Sequence, residues 1–321
     1  MPAFSTNLTH LEINMNSKLH GSALLAHSKT LVDLTLYGPK DTSNWAPFMA
    51  DSSQRIRFSN LKTLHLNYEQ LAAPASANAA DSSEQMSPPT LEFPMLEHLT
   101  YQNRTRSVPF FNIAQLPPKL KSLCIRGDYN TLKYIAGIDL PQTNALTISY
   151  IQSNEYKAAS ELINQIFAKN PSEHLGFLCD TRSIKLNLLD ICCPKLNRIR
   201  VAAPTGFYSI IEAIDKHPRL ASLAFENVVP GDCSQRLTNE LLTNKEGLPP
   251  FTARVVSLSL GYRELDYPQD TMLLFAKYLL LRLTYLQRVC LRNLPSSLFT
   301  EFIKTNKNRY PHLENVVWVG N

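Results

Sequence analysis

Apolar residues recur along this chain in a six-residue frame, apolar-x-x-apolar-x-apolar. The clear copies are LTHLEI from Leu8, LVDLTL from Leu31, LKTLHL from Leu61, LEHLTY from Leu96 and LKSLCI from Leu120, then LNRIRV from Leu196, LASLAF from Leu220, VVSLSL from Val255, LQRVCL from Leu286 and LENVVW from Leu313. Two weaker copies fill the central gap, TNALTI from Thr143 and LGFLCD from Leu175. The twelve copies between Leu8 and Leu313 are spaced by 21 to 35 residues. Their mean step of about 28 residues falls in the range of stacked repeat units. The last four positions of each frame alternate, so the frame predicts a short strand with its fourth and sixth side chains inward. The first apolar residue enters the core from the turn before the strand. One such strand cannot bury its apolar face alone, whereas twelve stacked in parallel form a continuous core.

Proline supplies a second, independent register. Pro94, Pro118, Pro194, Pro218 and Pro311 each stand two residues before the first Leu of a frame. Lacking an N–H, Pro fits the point where a helix ends and a strand begins. Between the frames, Thr205 to His217 predicts a helix capped by Thr205, with Phe207, Ile210, Ile211 and Ile214 on one face. Asn154 to Asn170 predicts another, with Leu162, Ile163, Ile166 and Phe167, and Asp270–Leu283 and Ser296–Lys304 predict two more. The expected fold is therefore α/β, a right-handed solenoid of about twelve irregular repeats with parallel strands on its concave face. A globular α/β fold with chance Leu spacing would not explain the Pro register.

Composition refines this picture. The 321 residues, 44% of them apolar, are enough for a large core, and the repeats span them as one domain, 1–321. Thirteen of the twenty residues from Leu71 to Thr90 are Ala, Ser or Pro, with no Lys or Arg, which predicts a flexible insertion at about 71–90. Ser87-Pro88 within it is a candidate phosphorylation site, and Asp41 to Arg57 is a smaller excursion of the same kind. A net charge of +5 and a pI near 8.8 are too mild for the concentrated basic patch of a nucleic-acid binder. No basic leader followed by an apolar run opens the chain, and the most apolar stretch, Met272 to Leu283, carries Lys277 and Arg282 and reads as a core helix. The six Cys form no C-x-x-C pair. These features point to a reducing compartment, cytosol or nucleus, and to no membrane.

Catalytic signatures are not found. There is no Walker A, G-x-S-x-G, H-E-x-x-H or G-x-G-x-x-G string, and no two of the eight His stand at i, i+4 on a helix. The expectation is a protein that is not an enzyme and has no metal and no cofactor. His10, His65 and His98 share an outward strand position, but their separated frames read as a solvated face rather than a metal site. Cys192-Cys193 reads as packing at a repeat junction rather than as a thiol nucleophile. The informative pattern is charge at the third, fifth and seventh frame positions, which alternation turns to the concave face. The first four frames place Glu12 and Asp33 there and no Lys or Arg; the later frames place Arg126, Arg198, Arg200, Arg288 and Arg292 against Glu226 alone. Guanidinium forks take carboxylates bidentately, so these five Arg are the candidate binding residues for an acidic segment of a protein partner.

With leads such as CPKLNRIRV, Cys193 to Val201, and FPMLEHLTY, the chain resembles leucine-rich-repeat proteins. Within them it looks most like the irregular repeats of eukaryotic F-box leucine-rich-repeat proteins. That resemblance implies a horseshoe-shaped solenoid and a protein-interaction scaffold, in which the repeats recruit a substrate and a separate F-box recruits a ubiquitin-ligase scaffold. No F-box-like segment is read in the sequence, and the Asn expected at the ninth position of a regular repeat stands only at Asn16 and Asn321. A GTPase-activating or other regulatory leucine-rich-repeat protein is the alternative. The Ran GTPase activators of that type have regular repeats with the Asn ladder and an acidic tail, whereas this chain reads VVWVGN at its end. An RNA-binding repeat domain is a third class, against which the mild charge weighs.

Overall fold

Each frame forms a strand, and the strands lie side by side in the order of the sequence. A computed structural model describes residues 8–14, 24–37, 55–68, 90–103, 120–137, 140, 142–150, 155–179, 194–229, 239–240, 243, 248–262, 269–293 and 296–319. The strands are β1 (His10–Asn14), β2 (Asp33–Tyr37), β3 (Arg55–Arg57), β4 (Thr63–Tyr68), β5 (Thr90–Glu92), β6 (His98–Asn103) and β7 (Ser122–Gly127). They continue as β8 (Ala145–Tyr150), β9 (His174–Leu178), β10 (Arg198–Gly206), β11 (Ser222–Val229), β12 (Ser257–Gly261), β13 (Arg288–Arg292) and β14 (Asn315–Val319). Twelve of them make one open, all-parallel sheet, while β3 and β5 pair separately. The helices are α1 (Tyr129–Ala136), α2 (Tyr156–Lys169), α3 (Phe207–Lys216), α4 (Gln269–Arg282) and α5 (Ser296–Thr305), with a 3-10 turn at Lys307–Arg309. The chain divides into two compact units, residues 1–144 with 148–153, and residues 145–147 with 154–321.

Both units repeat one backbone device. The carbonyl at the second frame position accepts two N–H groups, those of the second and third positions of the following frame. In the first unit Val32 and Asp33 donate to Thr9, Lys62 and Thr63 to Val32, Glu97 and His98 to Lys62, and Lys121 and Ser122 to Glu97. In the second, Asn197 and Arg198 donate to Glu173, Ala221 and Ser222 to Asn197, Val256 and Ser257 to Ala221, and Gln287 and Arg288 to Val256. These rungs keep the strands they join in step, so fourth positions stack on their counterparts: Leu34, Leu64, Leu99 and Leu123 in one unit, Ile199, Leu223, Leu258 and Val289 in the other. All eight are buried.

The prolines do more than stop helices. In Phe93-Pro94-Met95-Leu96, His217-Pro218-Arg219-Leu220 and Tyr310-Pro311-His312-Leu313, the N–H of the frame's first residue donates to the carbonyl three residues back, at 3.2, 3.0 and 3.2 Å. Pro therefore sits second in a β-turn, where its fixed φ is already correct. The turn delivers Leu96 and Leu220 into the core.

The helices lie where the apolar spacing placed them. On α3, Phe207, Ile210, Ile211 and Ile214 are buried, and on α2 so are Ile163, Ile166 and Phe167, whereas Leu162 is half-buried at the edge of that face. Phe207 stacks on Phe275 of α4 with ring centroids 3.7 Å apart. Most of α4 is buried, and no helix among the described residues is long and apolar enough to cross a membrane.

Three expectations need correction. The weak frame set at Leu175 is displaced by three residues: Leu175 pairs in register with Ile199, a fourth-position residue, so the frame begins at Ser172. Ser172, 1% exposed, fills the slot that Leu takes elsewhere. Thr205 does not cap α3. One extra residue in β10 between Val201 and Pro204 bulges the strand and carries it on to Gly206, so the Thr205 hydroxyl bonds the Ala203 carbonyl at 2.9 Å instead. The excursion at 41–57 ends in strand β3, whose partner β5 begins at Thr90, with Phe58 stacked on Phe93 just beyond. The remainder of that excursion, the insertion up to 89, and the Asn16 and Asn321 positions lie outside the described residues. Helix α1, absent from the apolar pattern, is held by Asp128, whose carboxylate accepts from the Thr131 N–H at 3.0 Å and its hydroxyl at 3.1 Å. An Asn of the ladder type does occur one position early: the Asn293 side chain donates to the Tyr262 carbonyl at 2.6 Å, from a residue with φ 61°.

If this register holds, Leu223→Ala opens a cavity in the second unit and should lower unfolding free energy by about 2–5 kcal/mol. Urea denaturation reads that loss; a change below about 0.5 kcal/mol, typical of a surface site, would contradict the buried position.

Candidate functional site

Third, fifth and seventh positions form ladders of side chains across each unit. In the first unit, the third-position row reads His10, Asp33, Thr63, His98, Ser122 and the fifth reads Glu12, Thr35, His65, Thr100, Cys124. Neighbours on adjacent strands are about 4.8 Å apart, close enough for side chains to bond directly. His10 Nε2 lies 2.9 Å from Asp33 Oδ2, and the Tyr37 hydroxyl donates to Glu12 Oε1 at 2.8 Å, which pushes the Tyr37 phenol up. His98 Nδ1 and Ser122 Oγ are 2.7 Å apart. The row thus ties its two acids to their own neighbours. His10 and His98 stand three strands apart, about 14 Å at that spacing, which is too far to share an ion. Among the described residues no group of three His, Cys, Asp or Glu could hold a metal. Burial raises the Cys124 thiol above its ordinary range, against its use as a nucleophile. Cys192 and Cys193 lie outside the described residues.

Of the five candidate Arg, Arg126 belongs to the first unit, where it is exposed and reaches Gln102 Oε1 at 3.4 Å. The other four belong to the second unit and all are exposed: Arg198 and Arg200 on β10, Arg288 and Arg292 on β13. The third-position row there reads His174, Arg198, Ser222, Ser257, Arg288, Asn315. Between the two Arg-bearing strands, β11 and β12 present Ser222, Ala224, Ser257, Ser259 and Gly261, all small, and one acid, Glu226.

Two features of this surface were not expected from the sequence. Arg200 is already occupied: its Nε and one terminal nitrogen both donate to Glu226 Oε1, at 2.9 and 2.7 Å. With side chains 64% and 31% exposed, the pair adds little to stability, but it cancels one cation of the surface. His174 is the second feature, since the displaced frame hid its place beside Arg198. Its Nδ1 is buried with no hydrogen-bond partner among the described residues, and desolvation, helped by the Arg198 charge, holds the imidazole below its ordinary pKa. Correcting the frame start to Ser172, two residues before a strand, would have revealed it.

No protein-family model matches the chain, and no curated protein matches it either.

His174 makes stability pH-dependent in a defined direction. Its proton affinity is lower folded than unfolded, so the unfolded chain takes up the extra proton as pH falls through the ordinary His value near 6.5. The neutral imidazole's contribution is complete above that value and is lost below it, toward the depressed folded pKa. Urea denaturation at pH 7.5 and 5.5 should show a smaller loss of stability for His174→Asn than for the parent chain. Equal losses would remove His174 from the surface described.

Proposed function

We propose that the chain is a right-handed leucine-rich-repeat solenoid of the irregular F-box type, acting as a non-catalytic protein–protein interaction scaffold. In this reading it recruits the substrate of a ubiquitin ligase, in the cytosol or nucleus. The observation that supports it best is the sheet face itself: rows of mostly polar side chains, half-buried to exposed, on strands held in step. Such a surface offers many shallow contacts at fixed spacing, which suits recognition of an extended protein surface. The Arg-bearing strands of the second unit are the binding region in this reading, and their exposure and shared sign support it.

Affinity capture from cell extract, followed by cross-linking and mass spectrometry, tests both parts. The expected result is co-capture of ubiquitin-ligase subunits together with a protein cross-linked to residues flanking β10 to β13. A partner cross-linked only to helix residues, with no ligase subunits, would contradict the reading.

A further inference from the structure

We infer that the second unit binds an extended peptide with carboxylates at positions i and i+4 and a large apolar side chain at i+2, and that Glu226 restrains this binding by occupying Arg200. The inference rests on the scaffold reading above and specifies its ligand.

The geometry behind it is a pair of rails with a low floor. Arg198 and Arg200 stand on β10, and Arg288 and Arg292 on β13, with β11 and β12 between them in continuous register. Three strand spacings separate the rails by about 14 Å. An extended chain crossing the strands advances about 3.3 Å per residue, so about four residues span that gap. Residues i, i+2 and i+4 of an extended chain share one side. Acids at i and i+4 therefore meet the two rails while i+2 lies over the floor.

The floor is built to receive bulk. Ser222, Ala224, Ser257 and Ser259 carry no side chain beyond one heavy atom past Cβ. Gly261 is bare because a Cβ there would approach the Glu226 carbonyl oxygen at 2.7 Å. Beside Glu226, onto which Arg200 reaches, these small residues leave the floor lower than the rails, and an apolar i+2 side chain would lie over Ser222 and Ser257.

Charge selects the sign of the ligand. The four Arg are opposed within these rows by Glu226 alone, which leaves a clear positive excess. Glu226 holds Arg200 through two nitrogens on one oxygen, the kind of contact a ligand carboxylate would make. A ligand reaching Arg200 must therefore displace an internal carboxylate, and a ligand avoiding it has only Arg198 on that rail.

Fluorescence anisotropy on the full chain tests this with three labelled peptides of equal length. One carries Glu at i and i+4 around a central Leu, one carries the two Glu adjacent, and one carries Gln at both positions. The spaced-Glu peptide should bind about tenfold more tightly than the Gln peptide and more tightly than the adjacent-Glu peptide, with affinity falling as salt rises. Arg288→Glu with Arg292→Glu should abolish that preference while thermal unfolding stays cooperative. Glu226→Gln should tighten the spaced-Glu peptide by about threefold, as expected for releasing an exposed pair. This gain needs no loss of fold to be read. Equal binding of spaced and adjacent peptides, or no gain from Glu226→Gln, would overturn the inference. A single-stranded RNA of equal charge binding more tightly than any of the peptides would overturn it too. If the captured partner still binds the folded Arg288→Glu plus Arg292→Glu chain, the peptide inference falls and the scaffold reading stands. Loss of the partner together with the peptide preference, in a chain that still unfolds cooperatively, is the result both readings expect.

Discussion

The rest of this structure depends on a carbonyl at the second position of most frames that accepts two N–H groups from the next. Strand pairing is weakly specified when one-residue slips are possible, because a slip turns every side chain to the opposite face. Here, with the frame at Ser172, steps range from 23 to 35 residues, and all but those into and out of the Thr143 frame end on the same two-donor rung, whatever the length of the connection before it. The rung absorbs the irregularity. Connections of unequal length then deliver strands of equal phase, and a fixed phase is what makes both the core and the polar face continuous within each unit.

Packing follows from that phase. Fourth- and sixth-position residues such as Leu223 and Phe225, or Leu64 and Leu66, lose nearly all contact with water, and each contributes on the order of 1.5–3 kcal/mol of burial. The first-position residue arrives through the turn, which Pro presets in the frames that carry it. Side chains at third, fifth and seventh positions keep some or most of their contact with solvent, Gln102 excepted, and their chemistry varies between repeats. Acids, His, Tyr and Thr fill most of them in the first unit, with Arg126 at its last strand, and four Arg with small residues, His174 and Glu226 fill most in the second. Fold and recognition therefore draw on alternate positions of the same strands.

Period-two alternation and the Pro offset were enough to read the stack, its core and the exposure of all five candidate Arg. What stayed hidden had specific physical causes. Leu175 and Leu178 mimic the first and fourth positions of a frame, while Ser172, the true first residue, is polar, so pattern alone favoured the wrong start and concealed His174. The pairing of Arg200 with Glu226 spans 26 residues of sequence and depends on which strands are neighbours. Thr205 has the chemistry of a helix cap, but the bulge in β10 places it in the strand, which no local propensity reveals. Strands β3 and β5 are three residues each, too short for periodicity to register.

The register of the stack is tested most directly at the strand where sequence and structure disagree. Only a frame beginning at Ser172 sets His174 beside Arg198. Nuclear magnetic resonance titration of the His174 imidazole, in the parent chain and in Arg198→Gln, reads that adjacency. The expected result is a pKa below the ordinary His value in the parent chain that rises when the neighbouring cation is removed. An imidazole at its ordinary value, unmoved by Arg198→Gln, would contradict the register and with it the face on which the binding residues stand.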